Sequence, residues 1–179
     1  DFGHPIFQSG ILPVFVAFVL TGAIRMVGGA ERGPALAGAS VVLLFEKPSL
    51  RTKLSFSIGT GKLGGTPLYL SPEEVGLGKR EPVGDVAKVV SRMADIAVVR
   101  TFGQSIIEEF AAAATIPVIN ALTDAEHPCQ ALADVQTIAE QLGSVRGASV
   151  AYVGDGNNTA VSLAYAVAGL GGHLTLASP

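Results

Sequence analysis

From Gly38 onward, apolar runs alternate with stretches whose apolar residues recur at helical spacing. Val41-Val42-Leu43-Leu44-Phe45 is uninterrupted, the pattern of a strand covered on both faces. Ser49–Lys62 reads as a helix, Thr66–Leu70 as a short strand and Ser71–Arg80 as a polar loop. Pro82–Met93 places Val83, Val86, Ala87 and Val90 on one helical face. Ile96–Val99 reads as a strand, Ser105–Ala114 as a helix and Pro117–Ile119 as a strand. Pro128–Leu142 opens on proline and closes before Gly143, as helices favour. Ser149–Val153, Asn158–Ala168 and His173–Ala177 follow as strand, helix and strand. This alternation predicts βαβ units, hence an α/β fold with a parallel sheet flanked by helices. Gly143-Ser144-Val145-Arg146-Gly147 is the natural boundary, dividing the chain into 1–143 and 144–179. Only two strands follow it, so the second unit is expected to be incomplete.

Ile11–Val27 interrupts this picture. Its uncharged part, Ile11–Ile24, is shorter than the ~18 to 20 apolar residues of a membrane span and contains Pro13 and Gly22. No basic residue precedes it, so a signal peptide does not fit either. A buried helix or an interface segment is the expectation, and no membrane partner. Of the 179 residues 49% are hydrophobic and 15% charged, which suits a buried sheet or a surface that meets another subunit. The net charge of -3 argues against a nucleic-acid surface. The single cysteine, Cys129, excludes an intramolecular disulfide and fits a reducing, cytoplasmic compartment.

In open α/β sheets, ligands lie beyond the carboxyl ends of the strands. The run Val41–Phe45 leads into Lys47, Ser49, Arg51 and Thr52; Ile96–Val99 leads into Arg100 and Thr101; Pro117–Ile119 leads into Asn120, His127 and Gln130. An arginine in a first helical turn faces the positive end of the macrodipole. An anion held between the two turns that repulsion into two attractions, and the guanidinium fork suits phosphate. The plainer alternative pairs Arg51 with Glu46 or Glu81. His127, just before a helix, is expected to stay neutral and to donate a hydrogen bond that can polarise a carbonyl. Cys129 has no evident base beside it and reads as a small buried thiol. Gly154-Asp155-Gly156 half-matches a dinucleotide fingerprint, with Thr159 at the third glycine position, so a nucleotide-dependent oxidoreductase is the rival from another class.

Together these residues resemble the carbamoyltransferase family, and its ornithine-using branch most closely. "FEKPSLRTKLSF" is similar to that family's F-E-K-P-S-T-R-T-R-x-S-F phosphate loop. "GKREPVGDVAKVVSRMADIAVVRTFG", "PVINALTDAEHPCQALADVQTI" and "YVGDGNN" followed by Ser162-Leu163 resemble three further family segments, in the family's order. The resemblance implies attack of the ornithine δ-amine on carbamoyl phosphate, giving citrulline and phosphate in arginine biosynthesis. It implies that Ser49, Leu50, Arg51 and Thr52 hold the phosphate through side chains and loop backbone. Arg100 would bridge phosphate and carbonyl oxygen, His127 and Gln130 would hold the carbamoyl group, and Asn158 would contact the amino acid. Arg51, Arg100 and His127 would thus be the catalytic residues, with no metal and no cofactor.

The family's sites lie between subunits of a trimer, and its second domain is Rossmann-like. Leu50 departs from the family's Thr, Gly76 from a Gln common there, and residues 1–33 from its opening helix. The chain ends at Pro179, before the family's loop for the ornithine α-amino group and its H-C-L-P motif. By this resemblance the chain is a piece of the enzyme, expected to bind carbamoyl phosphate weakly without turning over ornithine. Aspartate, N-acetylornithine and putrescine stay open as acceptors, and a non-catalytic oligomerising chain as a further reading.

Overall fold

The computed structural model describes residues 35–179; the Ile11–Val27 segment lies outside the described residues. The strands are β1 (Ser40–Phe45), β2 (Thr66–Leu70), β3 (Ile96–Arg100), β4 (Val118–Leu122), β5 (Ser149–Val153) and β6 (His173–Ala177). The helices are α1 (Leu50–Lys62), α2 (Pro72–Val75), α3 (Val83–Met93), α4 (Gln104–Ala113), α5 (Pro128–Leu142) and α6 (Asn158–Gly169).

A four-stranded parallel sheet runs in the order β2-β1-β3-β4, and β5 pairs with β6 in parallel as a second sheet. The alternation of a strand's side chains explains why β1 is apolar throughout. Val41, Leu43 and Phe45 face Phe56 and Leu63 from the α1 segment, and Cys129 from α5. Val42 and Leu44 face the other way, onto Val83, Val86, Ala87 and Val90 of α3 and Ile107 and Phe110 of α4. A third core joins Ala131 and Val135 of α5 to Val145 and to Leu163, Ala166 and Val167 of α6. The second βαβ unit therefore packs on α5, the helix that His127 caps.

The structure corrects two expectations. The stretch read as the polar loop Ser71–Arg80 contains α2, because the Ser71 N–H donates to Glu74 Oε2 at 2.7 Å and proline occupies the first helical turn. This helix ends at Gly76, in the left-handed region at φ 56°, where a Cβ would come within 2.8 Å of Arg80 Cβ. Asn120 lies inside β4 rather than beyond it, paired opposite Val99 and 8% exposed. It does not reach the strand end. Among the described residues no helix is long and apolar enough to cross a membrane.

Candidate functional site

The sheet order sets the carboxyl ends of β1, β3 and β4 side by side, about 5 Å apart. Phe45 pairs with Arg100, and Arg100 with Leu122, so the three exits share one rim. Glu46 N–H donates to Arg100 O at 2.8 Å, and Thr101 Oγ1 donates to the Glu46 carboxylate. Arg100 Nε donates to Lys47 O at 3.2 Å. Lys47 Nζ pairs with the Asp124 carboxylate and lies 4.7 Å from the centre of the Phe102 ring. Lys47 and Glu46 are thus committed to binding the three loops together.

Ser49 caps α1 in an extended conformation, φ -155° and ψ 112°. Its Oγ accepts from Thr52 N at 3.4 Å and donates to Thr52 Oγ1 at 2.9 Å. The main-chain N–H groups of Leu50 and Arg51 have no acceptor among the described residues, and the first turn holds no acidic side chain. Arg51 is exposed and makes no ion pair among the described residues, neither with Glu46 nor with Glu81. Leu50 is 73% exposed, so it offers this turn only its backbone. The result is an open positive helix end with an unneutralised arginine, suited to an anion.

His127 caps α5. Its Nδ1 accepts from Gln130 N at 3.4 Å, which leaves the proton of the neutral ring on Nε2. The ring's pKa is lowered to about 4, chiefly by burial and then by the Arg100 guanidinium, so near pH 7 it is a neutral donor. Burial also shifts the Arg100 guanidinium downward, without removing its charge near neutral pH. His127 is therefore a neutral ring beside the charged Arg100 guanidinium.

Two expected site residues are engaged elsewhere. Gln130 Nε2 donates to Asp134 Oδ1 at 2.8 Å along α5, an i,i+4 pair that turns the amide along the helix. Asn158 Nδ2 donates to Thr123 O at 2.7 Å, tying the start of α6 to the loop after β4. Thr123, wholly buried, donates to Gln104 Oε1 at 2.7 Å and accepts from Glu126 N at 3.1 Å. Neither Thr123, Asp124 nor Ser162 was assigned a role from sequence. All three stand in segments that resemble the family, but their contacts to Asn158, Lys47 and His127 span 35, 77 and 35 residues, which no local pattern announces.

The half-matched fingerprint turn is closed to a phosphate at two of its donors. Asn157 caps α6, accepting from Thr159 N at 3.0 Å and Ala160 N at 3.3 Å. Among the described residues no three His, Cys, Asp or Glu side chains gather as a metal-binding group.

Cys129 is buried, its Sγ donating to Asn120 O at 3.3 Å, and burial pushes its pKa up to about 12. It should resist iodoacetamide at pH 8 and react only at the rate of global unfolding. Fast labelling of the folded chain, followed by mass spectrometry, would refute a buried structural thiol.

Residues 16–140 match the family described as aspartate/ornithine carbamoyltransferase, carbamoyl-P binding domain. The ornithine carbamoyltransferase of Shewanella oneidensis is 53% identical over 150 residues, 84% of this chain and 50% of that protein. The solved ornithine carbamoyltransferase from Pyrococcus furiosus superposes with a TM-score of 0.84 at 40% identity, covering 94% of this chain and 55% of that one. An N-acetyl-L-ornithine transcarbamylase mutant superposes with a TM-score of 0.78 at 28% identity, covering 93% and 58%. The chain spans about half the length of the curated relatives it matches.

Proposed function

Because the chain belongs to the aspartate/ornithine carbamoyltransferase family, whose carbamoyl-P binding domain it carries, we propose that it binds carbamoyl phosphate and serves carbamoyl transfer to the δ-amine of L-ornithine. In this reading residues 1–143 form the carbamoyl-phosphate domain and residues 144–179 open the domain that receives the amino acid. The observation that carries it is the open N-terminus of α1: among the described residues the N–H groups of Leu50 and Arg51 have no acceptor and Arg51 no ion-pair partner, on the same rim as Arg100 and His127.

Leu50 and Arg51 receive the phosphate by backbone and guanidinium, Thr52 by its hydroxyl, and Ser49 by its hydroxyl once it turns from Thr52 Oγ1 to the anion. Arg100 spans phosphate and carbonyl oxygen. The neutral Nε2–H of His127 donates to the carbonyl oxygen, where negative charge grows as the amine attacks. The new C–N bond forms, the C–O bond to phosphate breaks with its electron pair, and one amine proton is released. The protein supplies no nucleophile; it contributes position and charge stabilisation.

Gln130 must exchange Asp134 for the carbamoyl group, an i,i+4 contact worth only ~0.2 to 0.5 kcal/mol and so readily given up. Asn158 keeps Nδ2 on Thr123 O and presents its Oδ1 to the amino acid. Leu50, Leu54 and Ile58 form an exposed apolar stripe along α1, which supports a contact between subunits of a trimer. Citrulline formation would place the protein in arginine biosynthesis, and the free thiol of Cys129 is consistent with a cytoplasmic setting.

Calorimetric titration with carbamoyl phosphate, inorganic phosphate and NAD tests the reading. Carbamoyl phosphate should bind more tightly than phosphate, and NAD not at all. NAD binding, or indifference to carbamoyl phosphate, overturns it. Citrulline formation with ornithine, compared with assays on N-acetylornithine, aspartate and putrescine, tests the acceptor in the full-length protein.

A further inference from the structure

His127 is bonded within its own helix and once outside it: its carbonyl accepts from Gln130 N at 3.1 Å and Ala131 N at 3.2 Å. The ring is tied through Nδ1 to Gln130 N, at a long 3.4 Å. The main chain is tied through its N–H to Ser162 Oγ, at 2.8 Å. Ser162 is 2% exposed and lies one turn into α6, 35 residues along the chain. A capping residue has no helical acceptor for its own N–H, so the peptide plane before the ring takes its direction from two bonds: Thr123 N–H donates to Glu126 O at 2.9 Å within the loop, and the His127 N–H donates outside it. Here the acceptor is a buried hydroxyl whose position is set by the packing of Leu163, Ala166 and Val167 against α5.

We infer that Ser162 is a positioning residue: its hydroxyl fixes the 126–127 peptide, and with it the point at which the His127 Nε2–H meets the substrate carbonyl. The inference rests on the reading of His127 as the carbonyl's donor. Asn158, on the same face of the α6 start, holds Thr123 O and steadies the other end of the five-residue loop. The loop is thus clamped twice by α6. A small error in the direction of a donor is costly, because hydrogen bonds weaken steeply away from linearity.

The test compares two ligands that differ by the group His127 is read to touch. Ser162→Ala should weaken carbamoyl phosphate binding about five- to tenfold, the upper half of one hydrogen bond's net effect. Inorganic phosphate affinity, which draws on α1, should stay within about twofold. Ser162→Thr, which keeps the hydroxyl, should restore carbamoyl phosphate affinity. Amide exchange at His127 should accelerate in the alanine variant and not in the threonine variant. Ser162→Cys serves as a second variant of similar size and poor acceptor strength should alanine compromise folding, and the same loss is expected of it.

Unchanged carbamoyl phosphate affinity in the alanine or cysteine variant overturns the inference. Equal losses for both ligands also overturn it, since they mark a purely structural role. His127→Ala separates the two layers. If that variant keeps the wild-type preference for carbamoyl phosphate over phosphate, the reading of His127 itself has failed. If His127→Ala abolishes the preference while Ser162→Ala preserves it, only the positioning role has failed.

Discussion

Replacing Arg51 by alanine is expected to weaken phosphate and carbamoyl phosphate binding by about 10- to 100-fold while leaving the fold intact. A hydrogen bond to a charged group contributes about 1.5–3 kcal/mol, and each 1.4 kcal/mol is a factor of ten. The side chain is exposed and pairs with no carboxylate among the described residues, so its removal breaks no contact seen in the structure. It sits in the first turn of α1, where a cation faces the positive dipole end at a cost of about 0.3–1 kcal/mol. The melting temperature of the ligand-free variant should therefore hold or rise slightly. Lysine at this position should recover only part of the affinity, since it keeps the charge and loses the planar fork. Calorimetry with each ligand, paired with thermal unfolding, checks both halves. A variant that unfolds, or that binds phosphate as tightly as the wild type, removes the anion site from α1.

The second large effect is a loss of stability on acidification that traces to His127. In the unfolded chain this imidazole titrates near its ordinary 6.5; folding lowers its pKa to about 4. Between those values the unfolded state binds the proton and the folded state resists it, so unfolding becomes easier as pH falls. The contribution is present in full above about 6.5, is lost progressively toward 4, and changes no further below. At 1.36 kcal/mol per unit the shift corresponds to about 3 kcal/mol at most, reduced because the ring is partly open to solvent. His127→Gln should flatten this part of the profile when urea midpoints of the two proteins are compared from pH 7 to 4.5. Carboxylates that titrate at lower pH are common to both proteins and cancel in the difference. Parallel profiles would mean that the imidazole is not held neutral by its surroundings.

Much of the architecture is legible from local pattern. The unbroken apolar run of β1, with β-branched Val41 and Val42, reads as a strand covered on both sides, and α3 shows its buried face at helical spacing. Pro128 and Gly143 mark the ends of α5, and Ser49 announces the start of α1. These features depend on the preferences of a few neighbouring residues, so a single sequence carries them. Element boundaries were less legible. Asn120 reads as loop chemistry, yet pairing with β3 carries the strand two residues past it, to Leu122. The short helix α2 depends on one carboxylate reaching back to one amide, a contact that polar composition does not reveal.

The sequence by itself determined the alternation of strands and helices, the candidate anion-binding turn at Ser49–Thr52, and the presence of Arg100 and His127 near strand ends. Only the tertiary structure decided what those side chains do with one another. The order β2-β1-β3-β4 brings three exits to one rim, and that order depends on pairings between segments tens of residues apart. Lys47, legible as a basic residue beside a phosphate loop, is committed to Asp124, 77 positions away. Gln130 turns along its helix to Asp134, and Asn158 reaches back to Thr123. Ser162 stands in a segment that resembles the family, yet its partner has no local signal, because a serine inside an apolar helix is unremarkable until the helix is docked. Propensity and capping act over about one turn of chain, whereas a hydrogen bond is set by distance in space. The partner of each polar side chain is therefore fixed only when the helices have packed.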